Sequence, residues 1–178
     1  VVVNNAGYAN SAPIEEMAED DFRAQIEANL FGVVNVTRAA LPVLRAQRSG
    51  HIVQFSSIGG RVGGTPGMGA YQAAKFGVEG FSEVLNAEVA PLGIKVVIVE
   101  PGPFRTEWST TSMIRADVGP DYEQTVGEVN RMREATAASW PGDPARAAKI
   151  ILDVVDMPEP PLRLELTVPG QAVEHEGV

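Results

Sequence analysis

The chain has 178 residues, 44% apolar and 21% charged, the composition of a folded globular protein rather than of a disordered, collagenous or coiled-coil one. It holds no Cys and only two His, His51 and His175, far apart in sequence, so disulfides, thiolate metal sites and a His-based zinc site are excluded and no metal is expected. Fourteen Lys and Arg against 23 Asp and Glu give a net charge of −9 with no basic cluster, which argues against nucleic acid; no apolar run approaches the ~20 residues that span a bilayer, so a cytoplasmic protein without a membrane anchor is expected.

The first residues, Val1 to Val3, are a β-branched run closed by Asn4-Asn5-Ala6-Gly7, and turn formers directly after an apolar run mark the end of a buried strand. A strand that begins at the first residue, with no Met and no preceding turn, reads as a fragment. From Glu19 to Ala46, Phe22, Ile26, Leu30, Val33, Val34, Thr37, Leu41 and Leu44 recur at helical spacing and predict one long helix ending at Ser49-Gly50. His51 to Phe55 predicts a strand that runs into Ser56-Ser57, followed by a loop with six glycines between Gly59 and Gly69. Ala70 to Ala90 predicts a second helix stopped by Pro91-Leu92-Gly93, and Ile94 to Val99 a third strand covered on both faces. Strands alternating with helices predict an α/β fold, an open parallel sheet with helices on both faces.

From Pro101 to Trp140 the pattern is irregular and reads as a lid over a pocket, with Trp108, Met113 and Trp140 as its apolar wall. Asp143 is placed to cap a helix that has Pro144 at its first position and runs to about Val155. Leu162 to Thr167 predicts the last strand, before a polar tail. His51 and His175 are expected to be solvated.

Tyr71 and Lys75 stand four residues apart near the start of a predicted helix, hence on one face and within mutual reach. A free phenol titrates near ~10, so exchanging a proton near neutrality requires a nearby positive charge that favours its anion, and Lys75 is placed to supply it. A solvated helix face would show the same pair. Ser57, at the end of the preceding strand, would converge with Tyr71 at the carboxyl edge of the sheet, where open α/β folds bind their ligands. Ser56 is the competing hydroxyl, and Asn29 could be either a buried polar group or a surface residue of an imperfect helix.

Taken in order, Asn4-Asn5-Ala6-Gly7, Asn29, Ser56-Ser57, Tyr71-x-x-x-Lys75 and Pro101-Gly102 resemble the short-chain dehydrogenase/reductases over nearly the whole chain. The resemblance implies a Rossmann-like sheet, NAD or NADP as cofactor and a small-molecule alcohol or carbonyl substrate. It implies that Tyr71 gives or takes the proton, and that Lys75 lowers its pKa and hydrogen-bonds the nicotinamide ribose. Ser57 would hold the substrate oxygen and Asn29 a water of the proton relay. Asn5, Ala6 and Gly7 would line the adenosine side of the cofactor, with Pro101, Gly102 and Thr106 bracketing the nicotinamide. In that family the two long helices commonly pair with their copies, so the complete protein is expected to be a homodimer or homotetramer.

Two departures qualify the resemblance. Ser57 precedes Tyr71 by 14 positions, one more than the family implies, with an extra glycine within Gly63-Gly64 as the expected insertion. The family's glycine-rich strand-turn-helix does not precede Val1, so residues 1–178 read as the carboxyl-terminal part of a single, N-terminally truncated Rossmann domain with its substrate lid at about 103–140. Alone, such a chain is expected not to bind the cofactor usefully. The alternative function is a truncated, catalytically inactive binding or assembly module. A serine hydrolase would need a Gly-x-Ser-x-Gly elbow and a nearby His, and a phosphate cradle would need Gly-Lys-Ser/Thr after the glycines; neither is present.

Overall fold

A computed structural model describes residues 1–168 and 171–173, with a single five-stranded sheet as its centre. Strands β1 (Val2–Asn4), β2 (Gly50–Phe55), β3 (Ile94–Pro101) and β4 (Arg163–Val168) run parallel in that spatial order, and β5 (Gln171–Val173) lies antiparallel at the edge. The register Val3–Val53–Val97 and Val2–Ile52–Val96 carries the apolar residues to alternate faces, as the two-residue period of a strand requires.

The long predicted helix is one helical run in three parts: α1 (Glu19–Ile26), a π-helical turn (Glu27–Phe31) and α2 (Gly32–Gln47). Three acidic residues, Glu19, Asp20 and Asp21, occupy its first turn, where the helix dipole favours negative charge. It stops two residues before the expected Ser49, because Arg48 adopts a left-handed conformation with φ of 55°. Helix α3 (Gly69–Val89) ends in a 3₁₀ turn, Ala90–Leu92, closed by Gly93.

Both faces of the sheet are covered. Leu44 of α2 and Leu85 and Val89 of α3 bury Ile52, Ile94 and Val96 on one side. On the other, α5 (Pro144–Val155) sets Val154, Ile150 and Ile151 against Val53, Val97, Val99, Leu164 and Leu166. Each such side chain, fully buried, is worth about 1.5–3 kcal/mol. The expected start of α5 is found: the Asp143 carboxylate accepts from the Ala145 and Arg146 N–H groups at 2.9 and 3.4 Å.

Three expectations need correction. The region from Pro101 to Trp140 is not irregular throughout, since it contains a π-helical turn (Glu123–Gly127) and α4 (Glu128–Thr136). This helix buries only the polar Asn130, whose Oδ1 accepts from the Ser11 hydroxyl at 2.7 Å, so it has no apolar stripe to announce it. Second, β5 continues the sheet where a polar tail was expected. Third, His51 is half-buried opposite Lys95 rather than solvated, and burial together with Lys95 holds its imidazole below the usual range. His175 lies outside the described residues.

Candidate active site

The carboxyl ends of β1, β2 and β3 deliver, respectively, Asn5-Ala6-Gly7, Ser56-Ser57 and Gly102 to the edge at which α3 begins. Ser57 is extended and accepts from the Gly59 N–H at 3.1 Å, capping a short 3₁₀ turn. Its side chain also faces the Tyr71 phenol. Ser56, by contrast, is buried; its hydroxyl donates to the Ser57 carbonyl at 3.5 Å and lies on the Glu79 side, at the core face of α3. Adjacent residues on an extended chain face opposite ways, and this separates the two candidate hydroxyls.

Tyr71 sits in the first turn of α3 with its ring centre 5.3 Å from that of Trp108, the planes tilted by 56°. Ala9, Met68 and Met113 complete an apolar group around it. Burial pushes the phenol above its ordinary value of 10, while the Ser57 hydroxyl pulls it down. One turn on, Lys75 is 5% exposed; its Nζ donates to the Phe55 carbonyl at 2.7 Å and lies 5.7 Å from the Tyr71 ring centre. Burial lowers this ammonium to about 8, against the raising effect of Glu79, so it stays largely charged at neutral pH.

Asn29 is wholly buried, which removes the surface reading. Its Oδ1 accepts from the Tyr8 N–H at 3.1 Å, and its Nδ2 donates to the Tyr8 and Gln25 carbonyls, both at 2.8 Å. The last bond takes a carbonyl that belongs to the helical ladder, and such an insertion accounts for the π-helical turn around Asn29. Gly7 lies directly over this amide. A β-carbon there would stand 2.6 Å from Asn29 Oδ1 and 3.7 Å from Lys75 Nζ, so the three residues share one small volume.

Asn5, Ala6 and Gly7 are exposed at this edge. Pro101 ends β3, and the Gly102 N–H donates to the Leu166 carbonyl at 2.9 Å. Thr106 is exposed and its hydroxyl accepts from the Trp108 N–H at 3.4 Å, capping the turn that carries Trp108 to Tyr71. Trp108 and Met113 thus reach the group as expected, whereas Trp140 bonds Thr136 through Nε1 at 3.2 Å and is no part of that group among the described residues. Gly64, within the expected insertion, has φ of +95° and open space around it, a place where an extra glycine is readily accommodated.

Two supports were not singled out from the sequence. Asn4 Nδ2 donates to Gln54 Oε1 at 2.7 Å and to Thr37 Oγ1 at 3.2 Å, tying β1, β2 and α2 together beneath the site. Gln25 Oε1 accepts from the Asn10 N–H at 3.0 Å, holding the loop that follows Gly7. A signal was there: Asp21, Gln25 and Asn29 lie at four-residue spacing, a polar stripe on a helix that is otherwise apolar inward.

Residues 1–116 match the family model of the short chain dehydrogenases. The chain belongs to the short-chain dehydrogenase family. It is 51% identical over 177 residues to an oxidoreductase of Botryotinia fuckeliana, Oxidoreductase BOA17, covering 99% of this chain and 64% of that protein. Among solved structures, a short-chain dehydrogenase from Streptomyces avermitilis superposes with a TM-score of 0.82 at 41% identity, over 92% of this chain and 59% of that one. A gluconate 5-dehydrogenase from Burkholderia cenocepacia, crystallised with NADP and tartrate, matches at 32% identity and a TM-score of 0.59, over 61% of this chain and 42% of that one. The chain therefore spans less than two thirds of the length of each of these relatives. Among the described residues, no helix is long and apolar enough to cross a membrane and no His, Cys, Asp and Glu cluster could hold a metal ion.

Proposed function

We propose that the complete protein is a nicotinamide-dependent oxidoreductase that interconverts an alcohol and a ketone or aldehyde, with Tyr71 as its general acid and base. The observation that carries this reading is the convergence of Ser57, Tyr71 and Lys75 at one sheet edge, with the Ser57 hydroxyl facing the phenol and the Lys75 ammonium 5.7 Å from the phenol ring. In carbonyl reduction the Tyr71 hydroxyl gives its proton to the substrate oxygen, which the Ser57 hydroxyl holds; in alcohol oxidation the transfer runs backwards. The charge on Lys75 favours the phenolate. Asn29, locked by its three hydrogen bonds, fixes the loop beside Lys75 where a relay water would return the proton to Tyr71.

The local chemistry suits NAD or NADP. Gly7, lacking a β-carbon, leaves the approach to Lys75 Nζ open, and that ammonium has spent one of its three donors on Phe55, so two remain for ribose hydroxyls. Asn5 and Ala6 continue the same exposed edge, and Pro101, Gly102 and Thr106 lie across from them for the nicotinamide. Bound there, the cofactor supplies or accepts the hydride. On this reading residues 1–178 belong to a single Rossmann domain, with residues 103–140 as the substrate lid and Trp108 and Met113 as an apolar wall that suits an apolar substrate.

The test is to titrate the complete protein with NADH and with NADPH, following cofactor fluorescence, and then to add a panel of ketones and aldehydes. Saturable binding of one cofactor, followed by its carbonyl-dependent oxidation, is expected. Failure of both cofactors to bind overturns the reading.

A further inference from the structure

Behind the site, on the side of α3 that faces the sheet, lies a buried ionic group that the reaction above does not use. Lys75 and Glu79 stand one turn apart on that face, each 5% exposed. Glu79 Oε2 is 3.4 Å from Arg163 Nε of β4, but that same Nε is 3.2 Å from Glu100 Oε1 of β3, and Arg163 Nη2 is bonded to Glu83. Arg61 of the glycine loop also serves Glu100, at 3.2 Å. Ser56 at the end of β2 faces Glu79. Acidic side chains thus outnumber the two guanidiniums, and Arg163 is divided among three of them. The next positive charge along the helix is Lys75.

Seen from Lys75, the surroundings are neutral apart from Glu79: the Phe55 carbonyl, the Tyr71 ring, and Asn29 across Gly7. Glu79 is the carboxylate that favours its charged form. A buried ammonium without an opposite charge gives up its proton, and a carboxylate one helical turn away opposes that loss.

We propose that Glu79 is a positioning residue, a buried counter-ion one turn behind Lys75 that keeps Lys75 charged inside the site; the proposal rests on the reading of Lys75 as the charge that assists Tyr71. The same carboxylate meets Arg163, which with Glu100 and Arg61 reaches the glycine loop that follows Ser57.

The experiment is nitrogen NMR of the lysine Nζ atoms in the complete protein, with Lys75 assigned from its loss in Lys75→Met. Lys75 titrates at about 8 in the wild type. In Glu79→Gln its midpoint falls by about one pH unit, the alkaline limb of kcat/KM moves with it, and Glu79→Asp restores both. An unmoved Lys75 midpoint in a folded Glu79→Gln protein overturns the proposal. Should Glu79→Gln fail to fold, the wild type decides: the Lys75 Nζ signal shows a second inflection in acid as Glu79 takes up its proton, and a signal flat over that range overturns it. A shifted Lys75 midpoint with an unmoved rate profile supports the role of Glu79 and contradicts instead the part assigned to Lys75 in turnover.

Discussion

Gly7 and Asn29 fit against each other so closely that a β-carbon on the first would lie 2.6 Å from Oδ1 of the second. The amide cannot step aside, because Asn29 is wholly buried and both ends of its side chain are bonded, to the Tyr8 N–H and to the Tyr8 and Gln25 carbonyls. Gly7→Ala therefore breaks at least one of these bonds and leaves a buried polar group without its partner. We expect a loss of about 1–3 kcal/mol in urea unfolding of the complete protein.

Lys75 carries a cost in stability whose pH dependence has a definite sign. Its folded value, about 8, lies below its ordinary 10.5, so between these values the unfolded chain holds more protons and stability rises with pH. The cost is fully present below pH 8 and gone above 10.5, and it amounts to about 3 kcal/mol. In Lys75→Met this contribution is missing. The stability of the variant relative to wild type should fall by about 3 kcal/mol as the pH is raised from about 7 to beyond 10.5, measured as a difference in urea midpoints. A difference that stays constant over that range would show that the ammonium is not buried at a cost.

Helices α2 and α3 expose more apolar surface than a monomer requires. Val36 and Val43 lie seven residues apart on α2, and Phe76 and Val84 flank Gly80 at four-residue spacing on α3, all four apolar side chains exposed. Stripes of this kind suit pairing with a second copy across a two-fold axis. We expect the complete protein to be a dimer or tetramer by light scattering at micromolar concentration, and Val84→Arg to lower its mass without unfolding it. A wild-type monomer would sink this expectation.

Where a side chain obeys a simple period, the fold was legible in the residues themselves. Ile52, Val53 and the run from Val96 to Val99 are unambiguous because a strand covered on both faces must be apolar throughout, and the Asp143-Pro144 start of α5 combines a side-chain acceptor with a residue that lacks an N–H. Helix α4 and the π-helical turns were not legible. A helix that buries only Asn130 has no apolar stripe, and the turn around Asn29 depends on a side-chain bond to the Gln25 carbonyl, which is tertiary information.

The candidate site followed the same division. Tyr71 and Lys75 could be paired from spacing because α3 fixes their relation. Ser57 is preferred to Ser56 in the sequence by its distance from Tyr71 alone, and the extended backbone turns Ser57 toward Tyr71 and Ser56 toward Glu79. Trp108 packs on Tyr71 and Trp140 does not, since a residue count through a lid carries no information about which aromatic folds inward.

The most direct measurement of the account is the rate of carbonyl reduction by Tyr71→Phe in the complete protein, alongside its affinity for the reduced cofactor. The substitution keeps the ring that packs on Trp108 and removes only the hydroxyl that meets Ser57. The prediction is a fall in kcat of about 10²- to 10⁴-fold, with the fold and cofactor affinity close to wild type. A variant that retains more than about a tenth of the wild-type rate, against the loss usual for a general acid, would contradict the claim that Tyr71 moves the proton.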